Sequence, residues 1–565
     1  MLLLGAAMTG CILITPLDDY EAAPTPSESG GAAGAQSGGG STAQGGNLPN
    51  GGSSMDGGAG AGGSAGAEGG APGECIVNAD CVSELGPARC RPSDRSCVLL
   101  NQGGCFFSVG DETDDDAVFL GAFVDMYPAD PRKSKGAYPI RLVVDELDDP
   151  ASEFDRVPGL NGAQLVVTVC DNSEENFAAG MQHLVDEVEV PAVLATLKPA
   201  DLATAFTEHP DVLYLSPIGR TQAVTDADDA SDPETRLIWN MLGQPTDYTD
   251  SYVRLIQRVD DYVRHRSDRA ATDPLRLALV IDTTDASNSE LGEALHQNLE
   301  WNGKSVSQNE TDNNFQLLEM TRDTSVEEAV TTLEAFVPDI VVSAAGTQFT
   351  KSQGVLETLE NLWGSDVRPF YVLSPYNVTD LGATLDTMNV SRGIGEQDAN
   401  SRFIGLSVAP PSNTDPQGAY EAALRAHFPG SMERFEPDTG NYYDAMYFLA
   451  YAAYGADRDQ PLSGRSMAAA LERLFQGTRY YVGPDYVKDV FEVLDDGGTV
   501  ELNGTLGPPD FFDGYRRVNG AVYCFEFVSE AALPRMGVLI YNTATDDFQL
   551  DMDRWSEFPC FSGFF

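Results

Sequence analysis

The chain has 565 residues, 42% of them hydrophobic, which gives room for two or three domains with ordinary cores. Lys and Arg total 34 against 87 Asp and Glu, a formal charge of -53. This balance excludes a phosphate-backbone partner, because binding nucleic acid depends on cationic side chains displacing counterions.

The first eleven residues are apolar, end in small residues before Cys11, and are too short to span a bilayer. Met8-Thr9-Gly10 before Cys11 resembles the lipobox of bacterial lipoproteins. That resemblance implies cleavage of residues 1–11 as a signal and lipidation of Cys11. Residues 12–73 are dominated by Gly, Ala and Ser from about Glu21. Having little to bury, they are expected to form a flexible tether with an end-to-end distance of about 40 Å. No later apolar run reaches 18 residues, so membrane attachment is expected through the lipid alone.

Beyond Cys11 there are eight cysteines: Cys75, Cys81, Cys90, Cys97, Cys105, Cys170, Cys524 and Cys560. An even number behind a targeting segment reads as disulfides in an oxidising compartment. The first four crowd into a stretch too short for its own core, so residues 74–105 are expected to form a small cystine-stapled module. Zinc is the rival reading, but there is no Cys-x-x-Cys pair and no histidine nearby. Sequence does not fix the pairing of the other four; Cys105 with Cys170 and Cys524 with Cys560 is the expectation.

From Ala117 onward, apolar runs alternate with helical patterns. Residues 117–123, 163–170, 190–196 and 211–217 read as strands, with an amphipathic helix over 174–185 and a further helical stretch from Lys198. Residues 235–241 then lead into a long helix over 248–266. A second series follows, with strands at 275–282, 339–345 and 369–374 and helices at 289–302, 325–336 and 352–363. Strands apolar throughout and separated by helices indicate parallel sheets covered on both faces. Two successive series imply an α/β fold of two Rossmann-like lobes.

Gly159-Leu-Asn-Gly162 before the strand ending at Asp171, Leu215-Ser-Pro217, the helical run from Tyr443-Asp444 to Ala452, and Leu502-Asn-Gly-Thr-Leu-Gly507 occur in that order. Together they resemble type I periplasmic binding proteins of the branched-chain amino acid and receptor-ligand-binding kind, over about 117–541. The resemblance implies two lobes joined by a three-strand hinge. Lobe one would be 106–241 and 416–485, and lobe two 242–415 and 486–550, leaving a tail at 551–565. It also implies a small molecule bound in the cleft, a possible amino acid or other carboxylate, delivered to an ABC-type permease.

Parallel strands put their chemistry at their C-terminal ends, where helix N-termini offer free N–H groups. By position the cleft candidates are Thr196, Ser216, Arg220 and Thr221 from lobe one, with Asp282, Thr284, Asp285, Thr347 and Tyr376 from lobe two. Arg220 could hold a carboxylate bidentately, or could instead be a surface arginine paired with Asp226 or Asp228. The loop after Asp282 lacks the aromatic-Gly pair usual in amino-acid-binding relatives, so that specificity does not transfer. The five histidines, His183, His209, His265, His296 and His427, form no ligand pair, and no nucleophile elbow or phosphate loop appears.

No cofactor, metal or catalytic residue is therefore expected. The leading reading is a lipid-anchored extracytoplasmic solute-binding protein of the cell envelope, serving an ABC-type importer. The alternative is an envelope sensor or regulator that uses the same fold to contact another protein, and a hydrolase on this scaffold ranks last.

Overall fold

The computed structural model describes residues 75–550 apart from internal stretches, the longest being 149–157, 230–235, 376–380, 389–401, 409–414 and 430–438. Cys11, Tyr376, Cys560, the tether and the tail fall outside the described residues. Among the described residues no helix is long and apolar enough to cross a membrane.

The first element is a cystine module. A helix, Asn78–Leu85, precedes a hairpin of β1 (Ala88–Cys90) and β2 (Cys97–Leu99). Disulfides Cys75–Cys90 and Cys81–Cys97 replace the core that so short a segment cannot build. Three of these sulfurs lie close enough together to suggest a metal site, but all are already in disulfides and are not free thiolate ligands. Cys105, expected at the end of this module, instead opens a strand of the first lobe and is bonded to Cys170. Cys524 is also disulfide-bonded.

The first lobe is built on β3 (Cys105–Val109), β4 (Val118–Val124), β5 (Leu165–Asp171), β6 (Ala192–Ala195), β7 (Leu213–Ser216) and β8 (Ile238–Asn240). β4 to β8 are parallel, in the spatial order β5-β4-β6-β7-β8, and β3 adds an antiparallel edge on β5. Leu165 to Cys170, Ala192 to Ala195 and Leu213 to Ser216 are buried without interruption, which is the cause of their unalternating apolar sequence.

The second lobe repeats the pattern with β9 (Leu277–Asp282), β12 (Phe315–Met320), β13 (Ile340–Ala344), β14 (Phe370–Leu373) and β15 (Phe403–Val408), in the parallel order β12-β9-β13-β14-β15. A small hairpin of β10 (Glu300–Trp301) and β11 (Lys304–Ser305) lies between β9 and β12. The sheet divides two cores. Leu277, Leu279 and Ile281 point to the face covered by helices Thr249–Arg266 and Ala286–Asn298. Ala278 and Val280 point to the face of helices Val326–Phe336 and Val355–Leu362.

After β15 the chain returns to the first lobe through helices Asp415–His427 and Gly440–Gly455. Residues 487–516, expected in the second lobe, also lie in the first. Helix Val487–Asp495 packs its Val487, Val490 and Phe491 into the first lobe's core, and β16 (Thr478–Tyr481) pairs in parallel with β17 (Val500–Asn503). β18 (Phe511–Phe512) and β19 (Tyr515–Arg516) extend the first sheet beside β8. The chain then enters the second sheet as an antiparallel run of β20 (Gly520–Val528), β21 (Ala531–Asn542) and β22 (Asp547–Leu550) against β15. Three passages therefore join the lobes: after β8, after β15 and between β19 and β20.

The helix motif and the Leu502–Gly507 motif meet in the first lobe. Asp444 accepts the N–H of Thr505 at 2.9 Å and faces Arg516 at 3.5 Å, while Arg516 donates to the carbonyls of Gly507 and Pro508. A Cβ on Gly504 would strike the Asp444 carboxylate, so this close approach requires glycine. Burial raises the Asp444 pKa and lowers that of Arg516, with each charge opposing the shift of the other.

Candidate functional site

Each sheet reverses its strand order at one point, between β4 and β6 in the first lobe and between β9 and β13 in the second. Crevices open outside the strand C-termini at such points, because successive connections leave to opposite faces of the sheet. Thr196 directly follows β6 and is buried; its carbonyl accepts from Asn172 Nδ2 at 2.9 Å. Its hydroxyl has no hydrogen-bond partner. Ser216 ends β7 and is spent on its own loop, with its hydroxyl accepting from the Ile218 N–H at 3.4 Å.

Thr221 begins helix Gln222–Asp229, its carbonyl accepting from the N–H groups of Val224 and Thr225. Its hydroxyl, like that of Thr196, is buried without a partner. A buried donor in that condition costs free energy unless something meets it.

Arg220 is not a cleft residue. It is wholly buried, with Nη2 on Asp228 at 2.8 Å, Nε donating to Thr225 Oγ1 at 3.0 Å and Nη1 to the Ile238 carbonyl at 3.5 Å. Arg236 binds the same Asp228 oxygen at 2.6 Å. One of the two alternative partners, Asp228, is thus the right one, but the pair is in the interior. Two turns of helix carry Asp228 back over the loop, and a guanidinium held so far from water must stay paired.

On the second lobe, Asp282 ends β9 and is buried; its Oδ1 accepts from the Thr284 N–H at 2.9 Å and hydroxyl at 2.6 Å. The loop after β13 passes close by, since a Cβ on Gly346 would lie 2.9 Å from Asp282 Oδ2. Thr347 opens the short helix that follows. Asp285 caps helix Ala286–Asn298 by accepting from the Asn288 N–H at 2.8 Å. Asn288 in turn accepts from Ser374, just past β14, at 3.3 Å. The rim of the second sheet is therefore tied together by side chains, which favours a fixed shape.

Among the described residues, the lobes meet at a contact that sequence reasoning did not find. The N–H of Gln222, the first residue of its helix, donates to Glu290 Oε1 at 2.8 Å, and Glu290 belongs to the helix capped by Asp285. Burial raises the Glu290 pKa, the Gln222 bond opposes this, and Glu293, Asp285 and Asp226 add repulsion. The Asp285-to-Asn288 cap was readable as an N-terminal signal, and would have started the helix at 286 rather than 289. Nothing local marks Glu290, whose partner is 68 residues away.

Of the expected site residues, the structure gathers Asp282, Thr284 and Asp285 in one turn of the second lobe, and sets Ser216 and Thr221 at the two ends of one loop of the first. Thr196 stands at the neighbouring strand end.

No family model matches the chain, and no curated protein matches it. Solved structures that resemble it include an ABC transporter solute-binding protein from R. palustris in complex with 4-hydroxybenzoate, at 9% identity over 74% of this chain and 95% of that one, TM-score 0.49. Others are a leucine binding protein from Thermotoga maritima MSB8, at 10% identity over 74% and 98%, TM-score 0.46, and an ABC transporter substrate-binding protein from Desulfitobacterium hafniense in complex with Leu, at 14% over 74% and 100%, TM-score 0.43. The strand order of both sheets and the three passages between them define the class of this molecule: a two-lobed α/β fold of the type I periplasmic binding protein kind.

Proposed function

We propose that this chain is an extracytoplasmic solute-binding protein that closes its lobes around a small polar molecule and hands it to an ABC-type importer, held at the membrane by a lipid on Cys11. The observation that supports this most is the bond from Gln222, next to Thr221 at a strand-end loop of one lobe, to Glu290, on the helix capped by Asp285 at the strand-end rim of the other. Two buried hydroxyls without partners fit a polar ligand. The disulfides fit a compartment outside the cytoplasm. Thr196, Thr221, Asp282, Thr284, Asp285, Thr347 and Tyr376 are the proposed ligand contacts, and no catalysis is involved.

Native mass spectrometry of residues 75–565 tests the reading, with a co-purified small molecule as the expected result. A solute panel in thermal melts should then raise Tm by mass action. A clean apo mass with no responding solute would count against transport. It would favour the second reading, an envelope sensor acting through protein contact, which the docking of the cystine module on the first lobe supports. Arg89 stacks 4.5 Å from the Phe119 ring, and Asn78 bonds Asp115 at 2.7 Å.

A further inference from the structure

The N-terminus of helix Gln222–Asp229 is where an incoming anion would land, since the first N–H groups of a helix have no partner within it. In this chain it is already taken by the Glu290 carboxylate, supplied from the opposite lobe at 2.8 Å. The acceptor sits on a helix whose start is fixed by the Asp285 cap and by the Asn288 link to Ser374, so its carboxylate is aimed by a rigid element rather than by a loop. The donor is equally well held, because Thr221, immediately before it, is fully buried and its carbonyl anchors the first turn.

We propose that Glu290 is a built-in latch: a resident carboxylate that occupies the anion seat of the first lobe and holds the two lobes together when no solute is bound. This goes beyond solute binding, since it concerns how the empty protein is held. It also means that a ligand carboxylate could use this seat only by displacing Glu290.

The test measures the distance between spin labels at exposed Lys198 and Arg322, one on each lobe, in the solute-free protein. Glu290→Ala removes the acceptor at a position where alanine favours the helix. Gln222→Pro removes the donor at the first helical position, where proline is well tolerated. Each variant is expected to shift the distance distribution to longer values, lowering the closed fraction several-fold to about tenfold. The double variant should open no further than either single one, because both delete the same bond. Unchanged distances in Glu290→Ala, or fully additive opening, would overturn the latch. Circular dichroism and melting curves identify a variant that has failed to fold; Gln222→Pro and Glu290→Ala alter different lobes, so either one alone is enough to decide between the outcomes. No solute enters the measurement, so a cleft that binds nothing would sink the transport reading and leave this result standing.

Discussion

Glu146 is nearly out of water, on helix Ala137–Asp148, and its Oε2 accepts from the hydroxyls of both Tyr443 and Tyr447 at 2.7 Å. Burial outweighs those two bonds and pushes its pKa up to about 7. Since the folded pKa exceeds the unfolded one, the native state binds more protons between the two values. Stability from this group is therefore full at low pH and declines as pH rises from the unfolded value of 4.5 toward 7. The decline amounts to about 3 kcal/mol. Glu146→Gln keeps an acceptor for the tyrosines without a charge to bury. In urea melts its advantage over the native chain should grow from pH 4 to pH 8 by about that much; parallel curves would refute the assignment. Glu360 presents the opposite case, an ionised carboxylate enclosed by Arg402, Arg368 and the Tyr371 hydroxyl at 2.6–3.0 Å. These hydrogen bonds and charges lower its pKa against the opposing effect of burial. Glu360→Ala leaves Arg402 buried beside an empty space and should cost about 3–5 kcal/mol, read as a fall in the denaturation midpoint.

Among the strands of the first sheet, β3 is held by a covalent tie. It is a short antiparallel edge with an irregular register between Cys105 and Phe107, and the Cys105–Cys170 disulfide joins it to β5 across a separation of 65 residues. Loop closure of that length stabilises the fold by about 4 kcal/mol in the chain-entropy picture. Replacing both cysteines by serine should lower stability by up to that amount, and hydrogen exchange should show β3 losing protection before β4; uniform loss across the sheet would contradict a local role. The same element explains what the sequence disclosed. Interior strands such as β5, β6, β7, β9 and β13 were legible because both their faces are covered, so their residues are mostly apolar without alternation. Edge strands were not. In β12, Gln316 and Glu319 interrupt the pattern because the strand has one neighbour and a partly wet side, and β3 is short. The antiparallel run β20 to β22 was also not visible, since its pairing partners are set by turns and not by helical crossovers.

For the molecule as a whole, the two-lobed plan was readable, but where the chain changes lobe was not. Residues 487–516 were expected in the second lobe and belong to the first, because Thr505 and Arg516 both bind Asp444 across more than sixty residues of chain, beyond the reach of any local pattern. For Arg220, Asp228 was one of two partners the sequence offered, but the burial of the pair shows only once the helix is folded back over its loop. The cystine module has its own small cluster of buried residues, Cys75, Cys81, Ala88 and Cys90, while Val98 of β2 is buried in the core of the first lobe. It touches that lobe through Val98, through polar contacts and through Arg89, whose pKa burial lowers to about 10. A cluster of its own, joined to the lobe's core by the Val98 side chain, is expected to unfold separately. Changing Cys75, Cys81, Cys90 and Cys97 together to serine should melt the module alone, since nothing but its two disulfides substitutes for a core. Hydrogen exchange should then show amides 75–99 unprotected, with β4 to β8 and the cooperative melting of the lobes preserved. If the lobes lost protection together with the module, the module would be part of the first lobe's fold and its support for the sensor reading would fall.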